Sequence, residues 1–268
     1  MSRAPVTARE LFGDFLDGPR RAAPASARAL ELGDDALADV ARCVSFGPHE
    51  RWDADELGKR TCVFVFDGVR GVDDDALVEA AMRERAEGAS MVVSNLGGFH
   101  GRPDAFERVG GGSALRAVAE RACATCWEAT RSDAKRVFVK AKTGTGDPTK
   151  VTTSWVNVCE RTNGHGLHNH ERAVFSGVYY ASTGKASGGE ESVEDVDEPG
   201  DLLIRVTAGG FDPLAKGASG YCTYMCVKPK VGRLVIFPSW VLHGVLASAG
   251  DAPRVSYAFN TGETGVKF

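Results

Sequence analysis

His168-Asn169-His170, then His243, then Arg254-Val255-Ser256: these three stretches, and the β-type runs between them, decide how the chain folds. In a β-strand successive side chains point to opposite faces, so residues two apart share a face. His168 and His170 are therefore expected side by side, with Asn169 turned away. His243 follows a separate apolar run, Arg233-Leu234-Val235-Ile236-Phe237-Pro238-Ser239-Trp240, and supplies a third imidazole. Two neighbouring ligands from one strand and a distant one from another is how β-rich non-haem iron sites are built. The commonest version has two His and one carboxylate, with open positions on the metal. Arg254 and Ser256 also share a face. A fork-shaped guanidinium beside a hydroxyl suits bidentate capture of a carboxylate. The flanking Val255, Tyr257 and Phe259 place this strand in the interior. An arginine there needs an anionic partner, and the sequence offers no obvious internal one.

Working outward, short β-type runs punctuated by Gly and Pro fill the second half of the chain, at 136–142, 152–161, 173–182, 201–207, 221–227, 233–240, 244–248 and 254–260. Many short strands of this kind indicate a sandwich or barrel. The stretch 183–200, rich in Gly, Ser and acid, reads as a mobile insertion or lid. Upstream, a strand is expected at 61–66, ended by Asp67-Gly68. A helix follows from Asp73-Asp74-Asp75 to about residue 86, closed by Gly88. Residues 91–101 read as a short strand running into a Gly-rich loop. Ser113 is a candidate cap for a helix over 114–130. Short amphipathic helices are expected at 7–16 and 34–44, separated by a Pro/Ala-rich stretch at 19–26. The division expected is a helical or partly disordered N-terminal extension over 1–58 and one domain over 59–268, with its β core at about 135–262.

The 268 residues are 43% hydrophobic and 25% charged, the range of a globular protein, and the formal net charge is -4. That balance argues against a general nucleic-acid or anionic-membrane binder. No run approaches the roughly 18 apolar residues of a spanning helix, and the first 30 residues show no secretory signal. Residues 1–9 lack acids, which leaves organelle targeting open, although Glu10, Asp14 and Asp17 follow closely. Seven Cys suggest no disulfide framework, so a reducing, cytoplasmic compartment is expected. Cys123-Ala124-Thr125-Cys126 lies in an Ala-rich helical stretch and reads as small apolar residues on a helix face. Gly110-Gly111-Gly112-Ser113 lacks the Lys-Ser/Thr ending of a P-loop. His165, within Asn163-Gly164-His165-Gly166, reads as a surface residue in a turn.

The ordered set Ser154-Trp155-Val156-Asn157, His168-Asn169-His170, Ser176-Gly177-Val178-Tyr179-Tyr180, Phe211-Asp212-Pro213, Gly232 to Trp240 with His243, and Arg254 to Asn260 resembles a 2-oxoglutarate/iron(II)-dependent oxygenase family. Its signature is of the SGVYY…FPSW..H type, within the superfamily that contains prolyl 4-hydroxylases. Ser94-Asn95-Leu96-Gly97-Gly98-Phe99-His100 resembles an upstream stretch of the same family, with Phe99 in place of Trp. The resemblance spans about residues 90–262. It implies a double-stranded β-helix (jelly roll) with flanking helices, mainly β. It implies Fe(II) held by His168, His170 and His243, and 2-oxoglutarate as cosubstrate. The far carboxylate of 2-oxoglutarate would meet Arg254 and Ser256, with Asn157 and Tyr180 as further partners. O2 is the oxidant, and ascorbate is a candidate stimulant. The reaction implied is that of a dioxygenase, a hydroxylase acting on a small molecule or a protein side chain.

One position departs from the superfamily, which has H-x-D or H-x-E where this chain has His170. Either three His form the site or His170 plays another role. Glu171 points to the opposite face of a regular strand, unless a bulge reverses it. Two other readings stay open: a three-His jelly-roll metalloenzyme without 2-oxoglutarate, and a catalytically inactive binding module of the same fold.

Overall fold

The structure, a computed structural model, describes residues 20–21, 26–30, 32, 37–46, 61–130, 146–170, 172–184, 199–206 and 223–263. The elements run β1 (Arg20–Arg21), β2 (Ser26–Ala29), β3 (Val40–Phe46), β4 (Thr61–Asp67), α1 (Asp74–Glu87), β5 (Asn95–Leu96), β6 (Phe99–His100), α2 (Ala105–Arg108) and α3 (Gly112–Thr130). Then follow β7 (Val151–Cys159), β8 (Gly164–His168), β9 (Phe175–Thr183), β10 (Leu202–Val206), β11 (Thr223–Val227), β12 (Arg233–Pro238), β13 (His243–Val245) and β14 (Arg254–Thr261).

The strands form two sheets. The larger has the order β2-β3-β4-β12-β9-β14-β7-β6 and the smaller β1-β11-β10-β13-β8-β5. Inside them sit two four-stranded sets, β12-β9-β14-β7 and β11-β10-β13-β8. Along the chain from β7 to β14 the strands switch between the sets, except for the β10–β11 hairpin, and all pair antiparallel. That order is a double-stranded β-helix, the jelly roll anticipated above.

Period-2 alternation sorts the side chains into layers. Phe64, Phe66, Leu234, Ile236, Val156, Tyr179 and Tyr257 face outward from the larger sheet. They pack on α1 and α3 through Leu77, Leu115, Ala122 and Cys126. Val63, Val65, Tyr180, Val235 and Phe237 face inward, against Leu202 and Ile204 of the smaller sheet. Two phenols tie α1 to the sheet: the Tyr257 hydroxyl donates to the Leu77 carbonyl at 2.7 Å and the Tyr179 hydroxyl to Asp74 Oδ1 at 2.7 Å. Asp73 caps α1 by accepting from the Ala76 N–H, and Gly88 ends it. Cys123 and Cys126 are fully buried on the inner side of α3, among apolar neighbours.

Three expectations change. Over 34–44 the chain is not a helix where it is described: Val40–Phe46 is a strand paired along its whole length with β4. Its burial alternates, with Ala41 and Cys43 inside and Val40 and Arg42 outside, so the period is 2 rather than 3.6. Ser113 lies inside α3, which begins at Gly112. The strand expected at 91–101 is reduced to β5 and β6, separated by Gly97 and Gly98, both at positive φ. The turn they make folds the segment back so that β5 joins the smaller sheet and β6 the larger. The helix expected at 7–16, the strand at 136–142, Phe211-Asp212-Pro213, Glu171 and residues 185–198 of the insertion lie outside the described residues.

Candidate metal and cosubstrate site

The inward face of the larger sheet carries a polar row. Cross-strand register sets Ser256 opposite Asn157 on one side and opposite Tyr180 on the other. Two residues along, Ala258 faces Trp155 and Val178. On the facing sheet His243 pairs with His168. These side chains, with Arg254, His165, His170 and Ser94, line one cavity between the sheets.

His168, His170 and His243 converge at this cavity, and one nitrogen from each lies within 4.8 Å of the others. The ring centroids are 4.3 Å apart for His168 and His243, 5.1 Å for His168 and His170, and 5.3 Å for His170 and His243. His170 is not on the strand as the H-x-H spacing suggests. β8 ends at His168, and His170 is held just beyond it by its own N–H, which donates to the Ser239 carbonyl at 2.8 Å. Asn169 is turned toward the Trp240 carbonyl, 3.5 Å away.

Two of the rings have a fixed tautomer. His168 Nδ1 lies 2.8 Å from the Gly166 carbonyl and His243 Nδ1 2.9 Å from the Val241 carbonyl. A carbonyl only accepts, so both Nδ1 atoms carry the proton and both Nε2 atoms keep a lone pair for a cation. Burial holds all three imidazoles neutral. It pulls His170 down to about 3, with His168 and His100 adding to the shift, and pulls His168 and His243 below their ordinary value.

This predicts how the metal-free protein responds to acid. An unfolded histidine titrates near 6.5, so below that pH the unfolded chain binds more protons than the folded one and stability falls with pH. The loss begins near pH 6.5 and continues toward about 3, and His170 alone contributes a few kcal/mol. Melting temperatures of the metal-free protein are expected to be flat from pH 7 to 8 and to drop steadily from 6.5 to 4. His170→Gln should flatten that slope; an unchanged slope would contradict the assignment.

In the same cavity Arg254 is 2% exposed and forms no ion pair among the described residues. Its Nη1 donates to the Gly200 carbonyl at 2.7 Å, while Nε is buried without a partner. Asn157 Oδ1 is likewise buried and unpaired. Burial pushes the Tyr180 hydroxyl up to about 12, so it stays a donor. No acidic side chain lines the cavity among the described residues. A buried guanidinium with an unused N–H, facing a cavity without acid, fits an anionic ligand.

Sequence reasoning missed two histidines. His165 is not on the surface but 6% exposed and lines the cavity. The pairing of β8 with β13 shifts between His243 and Val245, placing three residue steps of β8 against two of β13. That bulge turns His165 and His168 to the same side despite their odd spacing. His100 stacks on Trp155, centroids 5.7 Å apart and 12° between planes, and Trp155 in turn lies 5.4 Å from His170. Five of the chain's six histidines therefore gather here, counting His100, His165, His168, His170 and His243.

Strand order and site together define a double-stranded β-helix whose cavity is lined by three convergent neutral imidazoles and a buried arginine. Residues 153–260 match the sequence model of the family described as "Putative 2OG-Fe(II) oxygenase". No curated protein matches the chain in sequence. Similar solved structures include a Pseudomonas putida prolyl-4-hydroxylase (13% identity, 71% of this chain and 88% of that one, TM-score 0.40). HygX from Streptomyces hygroscopicus, solved with nickel and 2-oxoglutarate, is also similar (14% identity, 75% and 83%, TM-score 0.47). A third is a viral collagen prolyl hydroxylase from Paramecium Bursaria Chlorella virus-1 (11%, 70% and 90%, TM-score 0.37). Among the described residues no helix is long and apolar enough to cross a membrane.

Proposed function

We propose that the chain is an Fe(II)- and 2-oxoglutarate-dependent dioxygenase, a hydroxylase of a small molecule or a protein side chain. His168, His170 and His243 are the metal ligands, so the site carries a third imidazole at the position where the superfamily it resembles usually has a carboxylate. Arg254 and Ser256 receive the far carboxylate of 2-oxoglutarate, with Asn157 and Tyr180 beside them. The observation that carries the reading is the pairing, in one cavity, of three convergent imidazoles with a buried arginine that has an unused N–H.

Iron, 2-oxoglutarate and O2 together supply oxidative decarboxylation of the keto acid to succinate and carbon dioxide, coupled to hydroxylation of a substrate C–H bond. The chain's own residues bind, orient and keep water out. The Gly166 and Val241 carbonyls hold two imidazoles in the ligating tautomer. Arg254 fixes the cosubstrate's direction by a fork-shaped contact. Trp155, Val178, Phe237, Val245 and Phe259 line the rest of the cavity with apolar surface, which strengthens every charge interaction inside it.

The test is succinate formation from 2-oxoglutarate in air with Fe(II) and ascorbate, read alongside calorimetry of 2-oxoglutarate binding with and without metal. Metal-dependent binding and slow uncoupled turnover are expected. The lack of an acidic side chain among the described cavity residues favours a second reading, a three-His metalloenzyme that takes no keto acid. Metal binding without any 2-oxoglutarate binding would select it. Absence of metal binding altogether would leave an inactive module of the same fold.

A further inference from the structure

We propose that His100 and Trp155 are positioning residues for the third imidazole, a stacked aromatic wall that sets the ring of His170 toward the cation; the inference rests on the metal reading above. The three imidazoles are not held alike. His168 and His243 each donate through Nδ1 to a backbone carbonyl, at 2.8 and 2.9 Å, which is how a metal-ligating imidazole is ordinarily oriented. The His170 ring makes no hydrogen bond among the described residues. Its backbone is fixed, the N–H by the Ser239 carbonyl at 2.8 Å and the carbonyl by the Ala173 N–H at 3.0 Å. Neither bond sets the side-chain torsions, so contacts with other rings must. His168 and His243 stand 5.1 and 5.3 Å away, centroid to centroid, and are the rings His170 has to meet at an ion. The remaining aromatic neighbour is Trp155, at 5.4 Å with 46° between planes.

Trp155 is backed in turn by His100, 5.7 Å away and only 12° from parallel. The ladder puts them there. β6 pairs with β7 so that His100 lies opposite Asn157. Cross-strand partners share a face, and Trp155, two residues before Asn157, is the diagonal neighbour of His100 on that face. His100 is buried and held at three points. Its Nδ1 donates to the Gly101 carbonyl at 2.9 Å, its N–H to Ser90 Oγ at 3.0 Å, and its carbonyl accepts from the Met91 N–H at 2.9 Å. The row His100–Trp155–His170 therefore runs from an anchored ring, through an indole, to a ring with no anchor of its own.

The departure at His170 explains the need for such a wall. A carboxylate at this position would offer two equivalent oxygens, and either can meet a cation. A neutral imidazole has a single lone pair, in the ring plane, so the ring must present one nitrogen edge-on. With no hydrogen bond to select that orientation, packing against the indole removes the rotations that would turn the lone pair away. Aromatic pairs prefer tilted or offset arrangements of this kind. The wall adds no ligand, and the open positions of the metal stay free for cosubstrate and oxygen.

The experiment is a double-mutant cycle on the full chain, read by calorimetry with Mn(II) and by the absorption bands of the Co(II) form. Trp155→Leu is expected to weaken Mn(II) binding about 3–10-fold and to move the Co(II) bands. Trp155→Phe, which keeps a ring against His170, should restore both, and His100→Leu should act in the same direction as Trp155→Leu but less. In a His170→Asp background Trp155→Leu should leave Mn(II) affinity unchanged, because a carboxylate needs no wall; the coupling between the two positions is what the cycle isolates. Three results overturn the inference and leave the three-His site standing: equal losses in the two backgrounds, a Trp155→Phe variant that binds as poorly as Trp155→Leu, or unaltered affinity and unmoved bands in Trp155→Leu. Failure of the unaltered chain to bind either ion overturns the metal reading and this inference with it. If Trp155→Leu does not fold, His100→Leu is carried through the same cycle and judged by the same two readouts.

Discussion

Arg254→Leu is expected to lose 2-oxoglutarate binding by about 30-fold or more while keeping its metal. Removing one partner of a buried charge-assisted pair costs roughly 2–5 kcal/mol, and the cosubstrate's far carboxylate has no other cation waiting in the cavity among the described residues. Stability should change little in the opposite sense. The guanidinium is 2% exposed with an unpaired Nε, so its burial is a cost that an apolar side chain of similar size removes. Calorimetry on the Mn(II)-loaded protein reads the first effect and a thermal melt the second. Arg254→Lys keeps the charge but not the fork, and should fall between the two. Equal 2-oxoglutarate affinity in Arg254→Leu and the unaltered chain would dismantle the cosubstrate assignment.

His243→Ala is expected to cost more in metal affinity than the ~10–100-fold typical of an outer-shell partner. On the proposed reading it removes a ligand outright, and with it the rise in melting temperature that a bound ion gives by mass action. His168→Ala should behave alike, because His168 and His243 are cross-strand partners with matching Nδ1 anchors. His170→Asp is the informative contrast. It puts a carboxylate where the wider superfamily has one and should retain Mn(II). Metal binding that survives His243→Ala unchanged would remove the cluster from the mechanism.

The period-2 pattern made Arg254 and Ser256 legible as one face of a strand, and their neighbours Val255, Tyr257 and Phe259 made that strand interior. Both readings follow from side-chain alternation, which is a local property. What stayed hidden depended on non-local geometry. His165 looked like part of a Gly-flanked turn, and only the bulge opposite β13 brings it round to face His168. Ser94 immediately precedes β5 and His100 ends β6, two-residue strands too short to show a period and positioned by pairing with β8 and β7. The strand at Val40–Phe46 has a helical look in sequence because two of its buried residues, Ala41 and Val44, are three apart. Pairing with β4 decides between the two periods, and no window of sequence contains that partner. His170 comes beside His168 through a contact that the spacing does not supply, a backbone bond to Ser239 beyond the strand's end.

The two parts of the site are built into the fold with unequal firmness. Arg254 and Ser256 ride on β14, which is hydrogen-bonded to a long strand on each side. His243 rides on a three-residue strand, and His170 lies past the end of β8. Amide protons of β14 should therefore be among the last to exchange with deuterated solvent, and those around His168 to His170 and His243 among the earlier ones. The anion cradle would then exist before any ion arrives, whereas the imidazole cluster would gain its final rigidity from an ion bound there.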